Sequence, residues 1–318
     1  MQVDSSSILI TGGAGFIGTH LAERLCSRHQ VVLLDNFRRD SLTSAPSLRT
    51  HPNVRVIDAD VLDPASLAPA MAGVQVVLHL AAIAGVSSYY SESLRTMQVN
   101  VLGTVNLLEQ AVHHKVKHFV HFSTSEVFGP DAMWVDEEAG FCIGPVSDRR
   151  WVYATSKLAG EQFVLRTGEQ YGISCTVVRP FNIYGPRQTG EGAISNFCKS
   201  AVEGRPLTVY GEGSPIRAWC YVSDMVDAID AILTTPRAAG QAFNIGNPRE
   251  VCTTLDLARR VARLVPGTQI EFQPMNGAEV RARVPRIDKA ANLLSFQPKV
   301  DLDQGLQRTL DWFRTGQV

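Results

Sequence analysis

Ser7-Ile8-Leu9-Ile10-Thr11-Gly12-Gly13-Ala14-Gly15-Phe16-Ile17-Gly18 is the stretch that decides the fold. A short apolar run ends at Thr11, three glycines follow at 12, 15 and 18, and a helical pattern through Leu21, Ala22 and Leu25 opens at once. Strand, glycine turn and helix in that order form the context a dinucleotide fingerprint requires. Gly12 would permit the tight turn, Gly15 the approach of backbone to a pyrophosphate, and Gly18 close packing of helix on strand. The helix N-terminus, with unsatisfied N–H groups and a positive dipole end, would then hold the phosphates. Asp35 closes the next apolar run, Val31 to Leu34, where a carboxylate accepts from ribose hydroxyls. That argues for NAD, while Arg38 and Arg39 close by would suit NADP.

Outward from this unit the pattern repeats. Apolar runs at 54–58, 76–80, 118–122 and 175–179 are mostly separated by helical stretches, notably Ser91 to His114. The alternation predicts an α/β chain with a doubly wound parallel sheet of Rossmann type, its cofactor crossing the carboxyl ends of the strands. Asp58 and Asp60, after the third run, could meet the adenine or lie in a solvated turn. Leu80-Ala81-Ala82 is small enough for a cofactor to lie against. Beyond residue 180, turn-rich segments such as Glu212-Gly213-Ser214-Pro215 interrupt the alternation, and a last sheet strand returns at Ala242–Ile245. The expected division is a cofactor domain over 1–180 with a returning segment at about 214–250. A smaller lobe for the substrate would use 181–213 and 251–318, with helices at Leu255–Leu264 and Leu302–Phe313.

Tyr153 and Lys157 stand four residues apart, at the start of a helical run that continues through Leu158, Glu161, Phe163 and Leu165. They therefore share a helix face. A free phenol has a pKa near ~10, and an ammonium one turn away is expected to lower it and favour the phenolate. Such a base suits removal of a hydroxyl proton while a hydride leaves the same carbon. Thr124-Ser125-Glu126, after the 118–122 run, adds hydroxyls and an acid.

Composition excludes several classes. The 318 residues are 45% hydrophobic and 19% charged, with net charge -1, which gives no basic surface for nucleic acid. The cysteines at 26, 142, 175, 198, 220 and 252 stand singly without a CxxC pair, a reduced, cytoplasmic usage that makes a metal site unexpected. No apolar run approaches membrane-spanning length, and the first strand leaves no room for a signal peptide. The histidines at 113, 114 and 118 read as solvated helix-end residues rather than ligands.

Over nearly its whole length the chain resembles the extended short-chain dehydrogenase/reductases that act on nucleotide sugars. Within that group it is most similar to UDP-glucuronate decarboxylases. The matching stretches are Ser123 to Gly129, Gly144-Pro145 through Tyr153, Arg179 to Arg187, Leu207 to Gly211, Arg217 to Asp224 and Phe243 to Pro248. Ser125-Glu126, the Arg-Trp approach to Tyr153, and Tyr89 after Ala82 carry the narrower likeness. The resemblance implies NAD held by Gly12, Gly15, Phe16, Ile17, Gly18 and Asp35, with Asn36, Asp60, Val61, Leu80, Ala81, Ala82 and Asn100. Tyr153 and Lys157 would touch it too. It implies catalysis by Thr124, Ser125, Glu126, Tyr153 and Lys157, with Arg217 either catalytic or gripping the diphosphate. A UDP-sugar would meet Tyr89, Asn182, Arg187, Asn196, Val209, Tyr210, Arg217 and Arg283.

The implied reaction oxidises C4 of UDP-glucuronate, loses carbon dioxide from the resulting β-keto acid, and yields UDP-4-keto-pentose or, after re-reduction, UDP-xylose. A nucleotide-sugar 4,6-dehydratase or 4-epimerase is the alternative. Two departures stand out: Met275-Asn276 occupy a place where relatives carry an arginine, and the 188–193 loop is shorter than in xylose synthases. Related enzymes pair through the two helices expected at 91–114 and after 152, so a homodimer is expected, with Leu158, Phe163 and Val164 on the second helix.

Overall fold

The computed structural model describes residues 6–275 and 280–316. Its first five strands are β1 (Ser7–Thr11), β2 (Gln30–Asp35), β3 (Val54–Asp58), β4 (Val76–His79) and β5 (His118–Phe122). There follow β6 (Asp131–Val135), β7 (Ser174–Pro180), β8 (Ile183–Tyr184), β9 (Leu207–Tyr210), β10 (Ile216–Ala218) and β11 (Cys220–Tyr221). The last are β12 (Gln241–Ile245), β13 (Val251–Thr253), β14 (Ile270–Gln273) and β15 (Ala282–Pro285). Seven of these build one wholly parallel sheet in the order β3-β2-β1-β4-β5-β7-β12. The doubly wound architecture is the one the alternation predicts, and β12 is the returning strand. Strand order reverses between β1 and β4, which places a crevice at their carboxyl ends.

Because side chains alternate across a strand, Ile8 and Ile10 enter one core while Leu9 enters another on the opposite face. Both faces are covered, as a parallel sheet requires. Helix Val152–Tyr171 packs on β7 and sends Val164 into the second core. Val164 is fully buried, whereas its neighbour Phe163 is 46% exposed, so the helix carries apolar residues on two sides. The stretch expected as one helix from Ser91 to His114 is helical from Ser93 to His113, broken by a π-turn at Gln98–Leu102. His118 is likewise not a solvated helix-end residue. It opens β5, its Nε2 lies 3.0 Å from Thr176 Oγ1, and burial pushes its pKa down to about 4.

A second sheet, β13-β10-β15-β6, has no counterpart in the sequence reading. Its β10 and β15 run parallel with Arg217 opposite Arg283, and β15 sets Arg283 opposite Ala132 of β6. Opposed residues project from the same face, so this sheet brings two arginines side by side. Among the described residues no helix is long and apolar enough to cross a membrane.

Candidate active site

The crevice at the β1/β4 reversal is a cleft of about 540 Å³. Gly12 has φ +69°, and a Cβ there would lie 2.7 Å from the Ala81 nitrogen, so only glycine fits between turn and β4 loop. A Cβ on Gly18 would meet the Gly12 oxygen at 2.5 Å, the tight helix-to-strand packing expected of it. Gly15 differs: its Cβ position faces open space except for the Gly12 oxygen at 3.1 Å. The helix Phe16–Leu25 begins there without a side-chain cap and without an acid in its first turn. Free amides and an uncrowded backbone suit a pyrophosphate.

Asp35 accepts from the amides of Ala14 at 3.0 Å and Phe37 at 2.8 Å, which fixes its carboxylate at the end of β2. Burial raises its pKa, with those amides opposing. Phe16, Ile17, Asn36, Asp60, Val61 and the Leu80–Ala82 run also line the cleft. Asp58 is exposed and lies outside that lining. Asp60 accepts from Leu62 N at 2.9 Å and pairs with Arg95 at 3.0 Å. Asn100 stands behind the wall. Within the π-turn it accepts from Ile83 N at 2.8 Å and donates to Ile83 O at 3.2 Å and Ser156 Oγ at 2.9 Å. It therefore ties the β4 loop to the helix of Tyr153 rather than facing a ligand.

Thr124, Tyr153 and Lys157 line the inner end of the same cleft. Tyr153 stacks on Tyr89, with centroids 5.1 Å apart and planes within 9°. The expectation that Lys157 lowers the phenol pKa is reversed in the protein alone. Burial raises the Tyr153 pKa, Glu126 adds to the rise, and the Thr124 hydrogen bond and Arg39 only oppose it. Lys157 is itself brought down to about 7 by burial. In a dry site desolvation exceeds the pairwise attraction, so the phenolate needs a further positive charge.

Ser125 and Glu126 lie on a short turn capped by Thr124, whose Oγ1 accepts from Glu126 N at 3.2 Å. The Glu126 carboxylate is gripped by both Arg150 nitrogens, at 2.6 and 3.1 Å. Arg150 also lies over the Tyr89 ring at 5.3 Å. Tyr89, whose pKa burial raises, accepts from Gly85 N at 3.2 Å. Arg283 is 2% exposed, donates Nη1 to Ala282 O at 2.9 Å, and has no partner for Nη2. Burial lowers its pKa to about 10, Glu126 pulls it up, and Arg217 and Arg150 push it down. Arg217 donates to the carbonyls of Ile216 and Val280, both at 2.9 Å. Glu126 and Arg150 thus lie beside Tyr89, Arg283 feels both of them, and Arg217 stands opposite Arg283 on the neighbouring strand.

The remaining sugar-side expectations are placed differently. Asn182 spends its amide on Ala218 O at 2.9 Å. Arg187 faces Glu23 of the first helix at 2.8 Å. Asn196 and Tyr210 are exposed, whereas Val209 is wholly in the core, leaving only its main chain for a ligand. Asn276 lies outside the described residues.

Sequence reasoning missed several wall residues. Gln188, Thr189 and Glu191 line the cleft, and Glu191 accepts from Ser87 N at 3.0 Å, joining two loops across its mouth. Arg150 was the more accessible omission, since it stands three residues before Tyr153 and so on the same side of a helix start.

Residues 8–246 match the model of the NAD dependent epimerase/dehydratase family, and the chain belongs to it. The turn-and-Asp35 reading of NAD agrees with that family's cofactor. The chain is 36% identical to a UDP-N-acetyl-alpha-D-glucosaminuronate decarboxylase of Bacillus cytotoxicus, over 96% of this chain and 97% of that one. It is 33% identical to UDP-glucuronic acid decarboxylase 1 of Arabidopsis thaliana, over 96% of this chain and 69% of the relative. The structure of a UDP-glucuronic acid 4-epimerase from Bacillus cereus, in complex with UDP-glucuronic acid and NAD, superposes with TM-score 0.89 at 30% identity, covering 97% of this chain and 99% of that one.

Proposed function

We propose that the protein is an NAD-dependent decarboxylase of UDP-glucuronate. The observation that carries this reading is the set of cations near Glu126: Arg150 grips its carboxylate, Arg283 feels it and keeps a buried nitrogen without a partner, and Arg217 stands opposite Arg283. A carboxylated sugar would supply the missing anion, and guanidinium forks match carboxylate geometry. Decarboxylases at 33–36% identity and a likeness to an epimerase of the same acid sugar support it. Bound NAD supplies a hydride acceptor for C4 and, where the ketone is re-reduced, the donor. Tyr153 takes the C4 hydroxyl proton, with Lys157 holding positive charge near the phenolate. Thr124 hydrogen-bonds Tyr153 and would steady the enolate oxygen as carbon dioxide leaves. Ser125 and Glu126 border C5, and Tyr89 closes the carboxylate end. The lobe formed by 181–213 and 251–318 takes the nucleotide, with Asn182, Arg187, Asn196, Val209, Tyr210 and Arg283 as candidates on that side.

Tyr153 and the cofactor cleft would serve a 4-epimerase equally, and the Bacillus cereus neighbour favours that as the second reading. A homodimer belongs to the same proposal: Leu94, Leu102 and Phe163 are 72%, 50% and 46% exposed on the helices expected to pair. The direct test offers the purified protein UDP-glucuronate, its 2-acetamido analogue and UDP-glucose, and resolves the products by mass. Loss of carbon dioxide from an acid sugar is expected. Conversion of UDP-glucose with the acids untouched would remove the proposal.

A further inference from the structure

Three arginines, Arg38, Arg39 and Arg95, line the cofactor cleft together with Asp35 and Asp60. An arginine near the acid that ends the second strand is the group that would seat a ribose 2′-phosphate. Arg38 and Arg39 both stand in that place, and the structure shows what holds each of them. The turn that presents Arg38 is fixed: Phe37 N donates to Asp35 at 2.8 Å, Arg38 N donates to Asn36 Oδ1 at 3.3 Å, and Phe37 takes φ +57°. Across the cleft, Glu92 sits at the junction of helices Val86–Ser91 and Ser93–Met97. Arg38 Nη1 donates to Glu92 Oε2 at 3.0 Å and Arg38 Nη2 donates to Oε1, a parallel fork that uses both carboxylate oxygens. Arg95 is turned to Asp60 at 3.0 Å. Arg39 lies between two loops instead. A Cβ on Gly85 would come within 2.9 Å of its Nη2, and one on Gly190 within 3.0 Å of its Cζ. Its charge is felt at Tyr153, at the inner end of the cleft.

We infer that Glu92 is a specificity-determining residue: it claims the Arg38 guanidinium and so denies a 2′-phosphate the fork beside Asp35. Two acids then select NAD by different means. Asp35, held by the amides of Ala14 and Phe37, presents its carboxylate to ribose hydroxyls and repels a phosphate. Glu92 takes away the cation that would offset that repulsion. A guanidinium fork matches a carboxylate and a phosphate by the same pair of N–H bonds, so the two anions compete for Arg38. Breaking the fork would also leave the Glu92 carboxylate facing the incoming phosphate, and like charges repel. The side chains of Arg38 and Glu92 are 44% and 38% exposed, so the pair adds little to stability. What it sets is where the positive charge lies.

The test is calorimetry of NAD and NADP binding to the whole chain, freed of bound nucleotide. Glu92→Ala is expected to tighten NADP by about tenfold, the scale of one hydrogen bond to a charged group, with NAD near its parent affinity. Glu92→Ala/Arg38→Met should return NADP to the parent value, because the gain runs through the released guanidinium. The same substitutions are repeated in Asp35→Asn, where the repelling acid is gone and the gain stays measurable even if Asp35 masks it in the parent. An NADP affinity unmoved by Glu92→Ala in both backgrounds overturns the inference. So does a gain that survives Arg38→Met, which would mean that Glu92 acts by its own charge, and so does equal tightening of both nucleotides. No sugar enters the measurement, so its failure is distinct from a failure of the decarboxylase reading.

Discussion

At the scale of single residues, the chemistry turns on what burial does to charge. Tyr153 was legible as a base from its spacing to Lys157, but the direction of its pKa was not, since spacing carries no information about solvent. Tyr153→Phe is expected to abolish both NADH formation and carbon dioxide release. Glu126→Gln should leave C4 oxidation partly alive and slow the later steps by roughly 10²–10⁴-fold, measured by single-turnover absorbance against carbon dioxide release. Turnover at the parent rate would remove Glu126 from the site. Its bidentate hold by Arg150 at 2.6 and 3.1 Å adds a coupled expectation: Arg150→Met should depress decarboxylation as well. His118 gives a stability readout. Its folded pKa, about 4, lies below the ordinary 6.5, so between those values the unfolded chain binds more protons. Stability should therefore fall as pH drops from 6.5 towards 4, and His118→Gln should flatten that slope in urea titrations.

At the scale of elements, the parallel sheet was readable because each of its strands is an apolar run punctuated by turn residues or a helix. The second sheet was not. Its β10, β13 and β15 are three or four residues long, and they are joined only by tertiary pairing. The π-turn at Gln98–Leu102 was equally hidden, though it aims Asn100 at Ile83 and Ser156. The arginines of the second sheet were named from resemblance, and only the β10–β15 register explains why they converge. The glycine turn makes a sharp prediction at this scale. Gly18→Ala puts a Cβ 2.5 Å from the Gly12 oxygen, so the turn must open. Overpacking of this sort costs about 1–3 kcal/mol, and NAD affinity, read by fluorescence or calorimetry, should fall with it. Unchanged affinity would show that the turn does not set the cofactor site.

At the scale of the molecule, the large parallel sheet supplies the cleft that the glycine turn opens, and the second sheet sets Arg217 beside Arg283. Exposed Leu102 and Phe163 lead us to expect a dimer in light scattering and a monomer after Leu102→Glu/Phe163→Glu. The central claim, that an acid sugar is oxidised at C4 and then loses its carboxyl, has one direct measurement. UDP-glucuronate carrying deuterium at C4 and ¹³C at C6 is incubated with the protein, and gas and nucleotides are analysed by mass. The account expects ¹³CO₂, with the deuterium on the nicotinamide when the ketone is released or back on a UDP-pentose when it is reduced. A product that retains ¹³C with its C4 inverted would contradict it and make the protein an epimerase.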